Sequence, residues 1–311
     1  MAKYLVTGGA GFIGSHIAEA LVARGDAVRV LDDLSTGKLE NLAGIAGRFE
    51  LVEGDIRDLP TCRRAVEGVA AVFHQAALAS VARSVADPLL ADAINVTGTL
   101  NLLVAARDAG VGSFVLASSS AVYGDDPAMP KVEGREGRPL SPYGVGKLVG
   151  EKYGQVFHAL HGLRAVALRY FNVFGPRQDP HSEYSAVIPL FVTRVLRGER
   201  PTIYGDGEQS RDFVFVGDVV RANLAAAASP AAAGEAVNIA SGTETTVNGL
   251  LAAVNGILGA RIEPVRAAPR PGDILRSAAD IAKARRLLDF APGLSFEDGL
   301  RKTVAWYKER S

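Results

Sequence analysis

Residues 3–16 read KYLVTGGAGFIGSH. A short apolar run of strand type leads directly into Gly8, Gly11 and Gly14, spaced three apart, and an apolar helical pattern begins behind them. Strand, glycine turn and helix in that order open a doubly wound α/β sheet whose first turn accepts a pyrophosphate. The glycines permit the tight turn and close backbone approach, and the helix N-terminus supplies N–H donors and positive potential. A glycine-rich strand-to-helix turn is ambiguous on its own, so the segments that follow it decide.

Those segments repeat the alternation. AVRVLDD (27–33), FELVEGD (49–55), AAVFHQAA (70–77), SFVLASSS (113–120) and RAVALRYF (164–171) are β-rich runs separated by helical stretches. The helices include SHIAEALVARG, closed by Gly25, and the long DPLLADAINVTGTLNLLVAARDAG, closed by Gly110. This is the rhythm of a parallel sheet with crossover helices. After Phe171 the rhythm breaks, and proline and glycine become frequent, as in NVFGPRQDP (172–180) and APRPGD (268–273). The expected architecture is a Rossmann-type doubly wound sheet over 1–171 and a smaller mixed α/β substrate domain over 172–311. DFVFVGDVV (212–220) and EAVNIAS (235–241) read as buried strands, so the chain is expected to return to the first sheet around 212–242.

Composition narrows the class of function. With 34 basic and 34 acidic residues in 311, the net charge is zero, and no basic footprint for nucleic acid or an anionic membrane is expected. The N-terminal apolar run is too short for a signal peptide, and no uninterrupted apolar stretch of bilayer length is read, so a cytoplasmic enzyme without membrane contact is expected. Cys62 is the single cysteine and reads as a small buried residue. His158 and His161 share a helical face, but two histidines without other ligands make no metal site, and none is expected.

The second run ends at Asp32, eighteen residues beyond Gly14 (32 − 14). A carboxylate there reaches adenosine ribose hydroxyls, and with Asp33 it repels a 2′-phosphate, so NAD is expected rather than NADP. Asp55 lies where it could meet the adenine, or it is an ordinary turn aspartate. At the end of the fifth run stand Ser118, Ser119 and Ser120, on the edge where open α/β sheets bind ligands. Then comes SPYGVGK (141–147). Ser141 and Pro142 are suited to start a helix, and Tyr143 and Lys147 are one turn apart on one face of it. Gly144 and Gly146 are poor helix formers, so something other than propensity must hold this turn.

Taken in order, TGGAGFIGSH, LDDLSTGK, GDIRD, FHQAA, SSSAVYG, SPYGVGK, LRYFNVFGPRQ, GDGEQSRDFVFVGD and RPGD resemble the extended short-chain dehydrogenase/reductases, in particular the nucleoside-diphosphate-sugar 4-epimerases of the UDP-galactose 4-epimerase type. The resemblance covers nearly the whole chain. It implies Ser119, Tyr143 and Lys147 as catalytic residues, with NAD as cofactor and a UDP-hexose as substrate. It also implies cofactor contacts from Phe12, Ile13, Ser35, Thr36, Gly37, Ile56, Gln75, Ala76, Ala77, Asn95 and Tyr170. A phenol of pKa about 10 is a poor base at neutral pH unless its anion is stabilised, and Lys147 with the nicotinamide would supply that.

On the substrate side, the resemblance implies Asn172 at the diphosphate, Asp273 at the uridine ribose, and Ser119, Ser120 and Tyr143 at the sugar. Arg211 and Arg270 suit the diphosphate because guanidinium forks bind phosphate oxygens. Ser277 stands where the family often has a tyrosine; the smaller side chain leaves room for an N-acetyl group unless a neighbour refills the space. A 4,6-dehydratase would need an acid and a base where Ser120 and Ala121 stand. A UDP-glucuronate 4-epimerase, a net oxidoreductase and a non-catalytic NAD-sensing protein are the competing readings. Relatives pair two long helices per subunit, which implies a homodimer through 101–109 and 143–160.

Overall fold

The computed structural model describes residues 2–180, 187–269 and 275–310. Seven parallel strands form the main sheet, in the order β11-β6-β5-β4-β1-β2-β3. In chain order the first half supplies β1 (Lys3–Thr7), α1 (Phe12–Ala23), β2 (Ala27–Asp32), β3 (Glu50–Glu53), α2 (Leu59–Val66), β4 (Ala71–His74), α3 (Val81–Ala86), α4 (Pro88–Asp92), α5 (Thr99–Asp108), β5 (Ser113–Ser119), α6 (Pro142–His161) and β6 (Arg164–Tyr170). The strand order reverses between β1 and β4, and the crevice at that switch point lies over the carboxyl ends of the strands.

The second half begins with β7 (Asn172–Phe174), α7 (Val187–Leu196), β8 (Thr202–Tyr204), β9 (Ser210–Arg211), β10 (Phe213–Phe215) and α8 (Val216–Ala228). It continues with β11 (Ala236–Ile239), β12 (Thr245–Thr246), α9 (Val247–Leu258), β13 (Val265–Ala267), α10 (Ala282–Leu288) and α11 (Phe296–Lys308). Among the described residues of this half, only β11 joins the main sheet, beside β6. DFVFVGDVV is not one strand: β10 pairs with β7 outside the main sheet, and helix α8 starts at Val216. The Gly217–Asp218 pair falls in the first turn of that helix, where an acidic side chain is favoured by the helix dipole.

Two buried clusters sandwich the sheet. One packs Ile17, Leu21, Val219 and Ala222 of α1 and α8 on Val6, Val30 and Val115; the other packs Cys62, Leu102, Leu103 and Phe157 of α2, α5 and α6 on Leu5, Val72 and Phe114. Cys62 is fully buried, donates to the Ile56 carbonyl, and has its thiol pushed up to about 12 by burial. A third cluster, around Phe174, Phe191, Phe213, Leu250 and Leu300, forms the core of the second half.

The long helix read from 87 to 110 is interrupted: α4 and α5 are joined by a π-helical turn over Ala93–Gly98. Within Pro88–Asp108 an 18-residue window has a mean hydropathy of 1.5, enough by length and composition alone to cross a bilayer. Asn95, Thr97, Thr99 and Asn101 interrupt the apolar run and lower its mean. In the fold Leu102, Leu103, Ala105 and Ala106 of this span are buried against the sheet.

Candidate active site

Helix α1 starts at Gly11 with no side chain capping it and no acidic residue in its first turn. Its leading N–H groups therefore have no side-chain acceptor of their own, and they face the end of β1. The turn is tight. A Cβ on Gly14 would lie 2.1 Å from the Gly8 carbonyl, and one on Gly8, at φ +63, would lie 2.6 Å from the Ala76 nitrogen. These contacts place Gly8, Gly11, Phe12, Ile13, Gly14 and Ala76 in one cradle, and its unclaimed donors fit a dinucleotide pyrophosphate.

Asp32 closes the cradle from β2. Its carboxylate accepts the Ala10 and Leu34 N–H groups, each at 2.9 Å, and packs under Gly37, where a Cβ would stand 2.6 Å from Oδ1. Burial raises its pKa while those two backbone donors oppose the rise. Each oxygen keeps a lone pair for a ribose hydroxyl. Asp33 accepts the N–H and hydroxyl of Ser35, which sets the 33–36 turn, with Thr36 at its tip. Asp55 is engaged by Arg57 through a side-chain pair at 2.5 and 2.8 Å, and that partner holds its carboxyl below the usual range. A turn ion pair is thus its observed state.

At the other side of the switch point, Ser141 and Pro142 start α6 as expected, with the Ser141 hydroxyl accepting the Gly144 N–H at 3.1 Å. The two glycines are explained by approach. A Cβ on Gly144 would stand 2.9 Å from the Ala121 carbonyl, and one on Gly146 would stand 3.1 Å from Asn95 Cβ. Close packing against the turn after β5 and against the π-turn holds this segment. Asn95 in turn bonds both the N–H and the carbonyl of Leu78.

Ser119, Tyr143 and Lys147 come together at this edge. Burial raises the Tyr143 phenol, and a hydrogen bond with Ser119 opposes the rise. Lys147 Nζ sits 5.8 Å from the centre of the Tyr143 ring and donates to the Ala117 carbonyl at 2.8 Å. Burial brings its pKa down to about 8. A base, a hydroxyl and a cation therefore stand together, which is the equipment for moving a proton at a substrate alcohol. Ser120 opens the short turn after Ser119.

Tyr170 lies opposite Ser119 on β6. Its hydroxyl, with Gln75 and Asn223, forms a buried triad at 2.8–3.2 Å, so the two predicted residues act on each other. Ala77 follows in the same loop. Two further residues escaped the sequence reading. Ser84 of α3, fully buried, accepts the Tyr143 backbone N–H at 3.1 Å. His74 bridges the Thr7 and Thr99 hydroxyls at 2.8 and 2.9 Å, and burial lowers its pKa to about 3, so its ring is a neutral brace beneath the cradle. Neither carried a sequence signal, because each depends on a partner distant in the chain.

Two residues past Tyr170 a cleft of about 220 Å³ opens between β7, α7, β8 and β10. It is lined by Asn172 and Arg211, two of the residues read as substrate contacts, and by Phe174, Ile188, Tyr204 and Phe213, which offer apolar and aromatic walls. Ser277 is partly buried on the segment tied to β9 through Ser210 and Leu275. Arg270 and Asp273 lie outside the described residues. Among the described residues no cluster could hold a metal ion.

Comparisons with known proteins agree with this geometry. The chain is 42% identical over 313 residues to the UDP-glucose 4-epimerase of Mycolicibacterium smegmatis, covering 99% of each. Its structure matches that of the UDP-N-acetylglucosamine 4-epimerase from Methanobrevibacter ruminantium M1 with UDP-N-acetylmuramic acid, at a TM-score of 0.95, 42% identity and coverage of 100% and 99%. It matches the Thermotoga maritima UDP-glucose 4-epimerase with UDP-glucose at 0.94 and 42%, covering 99% of each chain. A family model described as the NAD dependent epimerase/dehydratase family matches residues 4–240, and with full-length relatives at this identity the chain belongs to that family.

Proposed function

We propose that this chain is an NAD-dependent 4-epimerase of UDP-hexoses, interconverting UDP-glucose and UDP-galactose through a transient 4-keto sugar. The observation that carries the reading is that Ser119, Tyr143 and Lys147 come together at the end of β5, with Lys147 Nζ 5.8 Å from the centre of the Tyr143 ring, while the cleft lined by Asn172 and Arg211 opens two residues past Tyr170, the strand partner of Ser119. Bound NAD supplies the hydride acceptor and donor at C4. Tyr143 takes the proton of the 4-hydroxyl and later returns one, and Ser119 holds the same oxygen and shares the proton path. Lys147 stabilises the phenolate and bonds the nicotinamide ribose.

Epimerisation needs the ketose to present its other face while the nucleotide stays fixed. Asn172 and Arg211 anchor the diphosphate, a role the family resemblance also gives Arg270, as it gives Asp273 the uridine ribose; the aromatic walls of the cleft take the base. Residues 1–171 with the strand β11 carry the cofactor, and most of 172–311 carries the nucleotide sugar. Since no net oxidation occurs, the cofactor is regenerated in every turnover and need not leave the protein. Ser277 leaves space at the sugar's 2-position, so UDP-GlcNAc and UDP-GalNAc are also substrates.

The enzyme is a homodimer in the cytoplasm. Val145, Val156 and Leu160 of α6 are exposed apolar side chains at helical spacing, 47%, 47% and 72% exposed, and a second copy would cover them. Incubating purified protein with UDP-galactose, and separately with UDP-GalNAc, without added NAD tests the function. Formation of the C4 epimer in both is expected. No conversion even with NAD added would overturn the reading, and turnover of UDP-galactose alone would overturn the Ser277 argument.

A further inference from the structure

We propose that Glu151 and Arg169 are positioning residues for this reaction: a buried ion pair that sets the register of α6 against β5, and with it the alignment of Tyr143 on Ser119. The inference rests on the epimerase reading of the Ser119–Tyr143–Lys147 site.

Glu151 is one turn beyond Lys147, so Tyr143, Lys147 and Glu151 line a single face of α6. The same face buries Gly144, Gly146, Gly150 and Gly154. At Gly150 and Gly154, where a Cβ would stand, Leu116 of β5 comes within 3.5 and 3.3 Å. A glycine face lets the helix lie close to the strand, but over Gly144–Gly154 it offers few side-chain ridges to interlock with grooves, which is what ordinarily stops a helix from sliding, and its large apolar anchor, Phe157, lies towards the far end of the helix. Near the catalytic end, polar contacts can add the register.

The fork of Arg169 supplies it. Arg169 stands opposite Ser118 on the neighbouring strand β6, and both side chains converge on Glu151. Arg169 Nε donates to Glu151 Oε1 at 2.9 Å and its NH2 group to Oε2 at 2.7 Å, while the Ser118 hydroxyl donates to Oε1 at 2.5 Å. The remaining guanidinium donors go to the Tyr123 hydroxyl at 3.0 Å and to Glu136 at 2.5 Å. Arg169 and Glu151 are each only 1% exposed. A buried pair of this kind is a weak source of net stability, since desolvation offsets attraction, and its best-attested use is to select one arrangement among several. Bidentate geometry selects sharply. A slip of α6 by one residue is a translation of about 1.5 Å, which would break all three bonds to Glu151. A displacement of that order at reacting groups costs roughly 100-fold in rate. Ser118 is the direct neighbour of Ser119, so the tie is made one residue from the hydroxyl it aligns.

The test uses Glu151→Gln, Arg169→Lys and Ser118→Ala in the full chain with its cofactor. Glu151→Gln keeps the volume and removes the carboxylate; Arg169→Lys keeps the charge and removes the fork. Ser118→Ala removes only the bond from β5, and it carries the test alone if the buried charge variants do not fold. Turnover is measured on UDP-galactose and normalised to bound NAD per subunit. The expected result is a kcat lowered 10- to 100-fold in the charge variants and several-fold in Ser118→Ala, with KM and bound NAD within twofold of wild type. Wild-type kcat in Ser118→Ala together with any folded charge variant overturns the proposal, as does a loss confined to KM. Absence of wild-type turnover would instead overturn the epimerase reading, so the two failures are distinguishable.

Discussion

Two helices begin at the same edge of the sheet, α1 and α6, and their N-termini are built in opposite ways. At α1 the cap is Gly11, with no side-chain acceptor and no acid in the first turn. At α6 the Ser141 hydroxyl takes the Gly144 N–H and the Ser84 hydroxyl takes that of Tyr143. Open donors can receive a ligand's anion; satisfied donors cannot, but they fix the side chains of the turn that carries them. In the proposed reaction one helix start serves as a binding site and the other as a mount for a base. Glycine serves both, by permitting close approach of backbone at Gly14 and at Gly144.

The sharpest test of the contrast removes the mounted base. Tyr143→Phe is expected to lower kcat on UDP-galactose about 1,000-fold while bound NAD per subunit, measured on the denatured extract, stays unchanged. A parallel loss of cofactor would mean that the two helix starts are not separate in function. The converse variant is Gly14→Ala. Its Cβ would fall 2.1 Å from the Gly8 carbonyl, so the cradle must open. Bound NAD is expected to be lost, with affinity down roughly 100-fold, or about 3 kcal/mol. Saturating NAD should then restore part of kcat, because the Tyr143 mount is untouched.

How much of this contrast was legible in sequence follows from its physics. The α1 start was legible, since strand, glycine turn and helix are contiguous and every glycine in the turn has a local reason. Ser141, Pro142 and the Tyr143–Lys147 spacing were legible for the same cause. Ser84 and the Thr7–His74–Thr99 bridge were not: an acceptor 59 residues from its donor carries no spacing signal. Gly144 and Gly146 stood out as anomalies, and only the positions of Ala121 and Asn95 explain them. In the second half, DFVFVGDVV has the apolar content of a buried strand throughout. The helix start inside it is marked only by Gly217–Asp218, a weak signal. The walls of the cleft, such as Tyr204 and Phe213, come from short two-stranded pairs whose partners are far apart in the chain.

A smaller effect probes what the mount costs the fold. Lys147 has a usual pKa of 10.5 and is brought to about 8 by burial. The unfolded chain therefore binds more protons than the folded one between those values, and stability rises with pH across that window. Below pH 8 the folded protein carries a buried ammonium at a cost on the order of 3 kcal/mol, partly offset by its bond to the Ala117 carbonyl. Lys147→Met should thus stabilise the NAD-free protein by about 2 kcal/mol at pH 7, in denaturant melts, with the gain shrinking to nothing as pH passes 10.5. It should also abolish turnover. A variant less stable than wild type at pH 7 would show that the lysine contributes to the fold rather than burdening it.

The smallest effects come from exchanging the two caps. Ser141→Ala leaves the Gly144 N–H without its acceptor, for a loss of about 1 kcal/mol in stability, read by thermal or denaturant melting. Ser84 still holds Tyr143, so kcat should fall by less than threefold. Gly11→Ser does the reverse, placing a hydroxyl where it can accept a donor of α1's first turn. Serine and glycine differ as caps by only a few tenths of a kcal/mol, so the apo protein should melt almost unchanged. The hydroxyl, however, occupies a donor otherwise free for the pyrophosphate, and its Cβ would press on the Gly8 carbonyl at 3.1 Å. Weaker NAD binding with an unchanged apo melt is therefore expected. That pair of results is specific to a terminus kept open for an anion, because a start with no anion to receive would lose no cofactor from the serine.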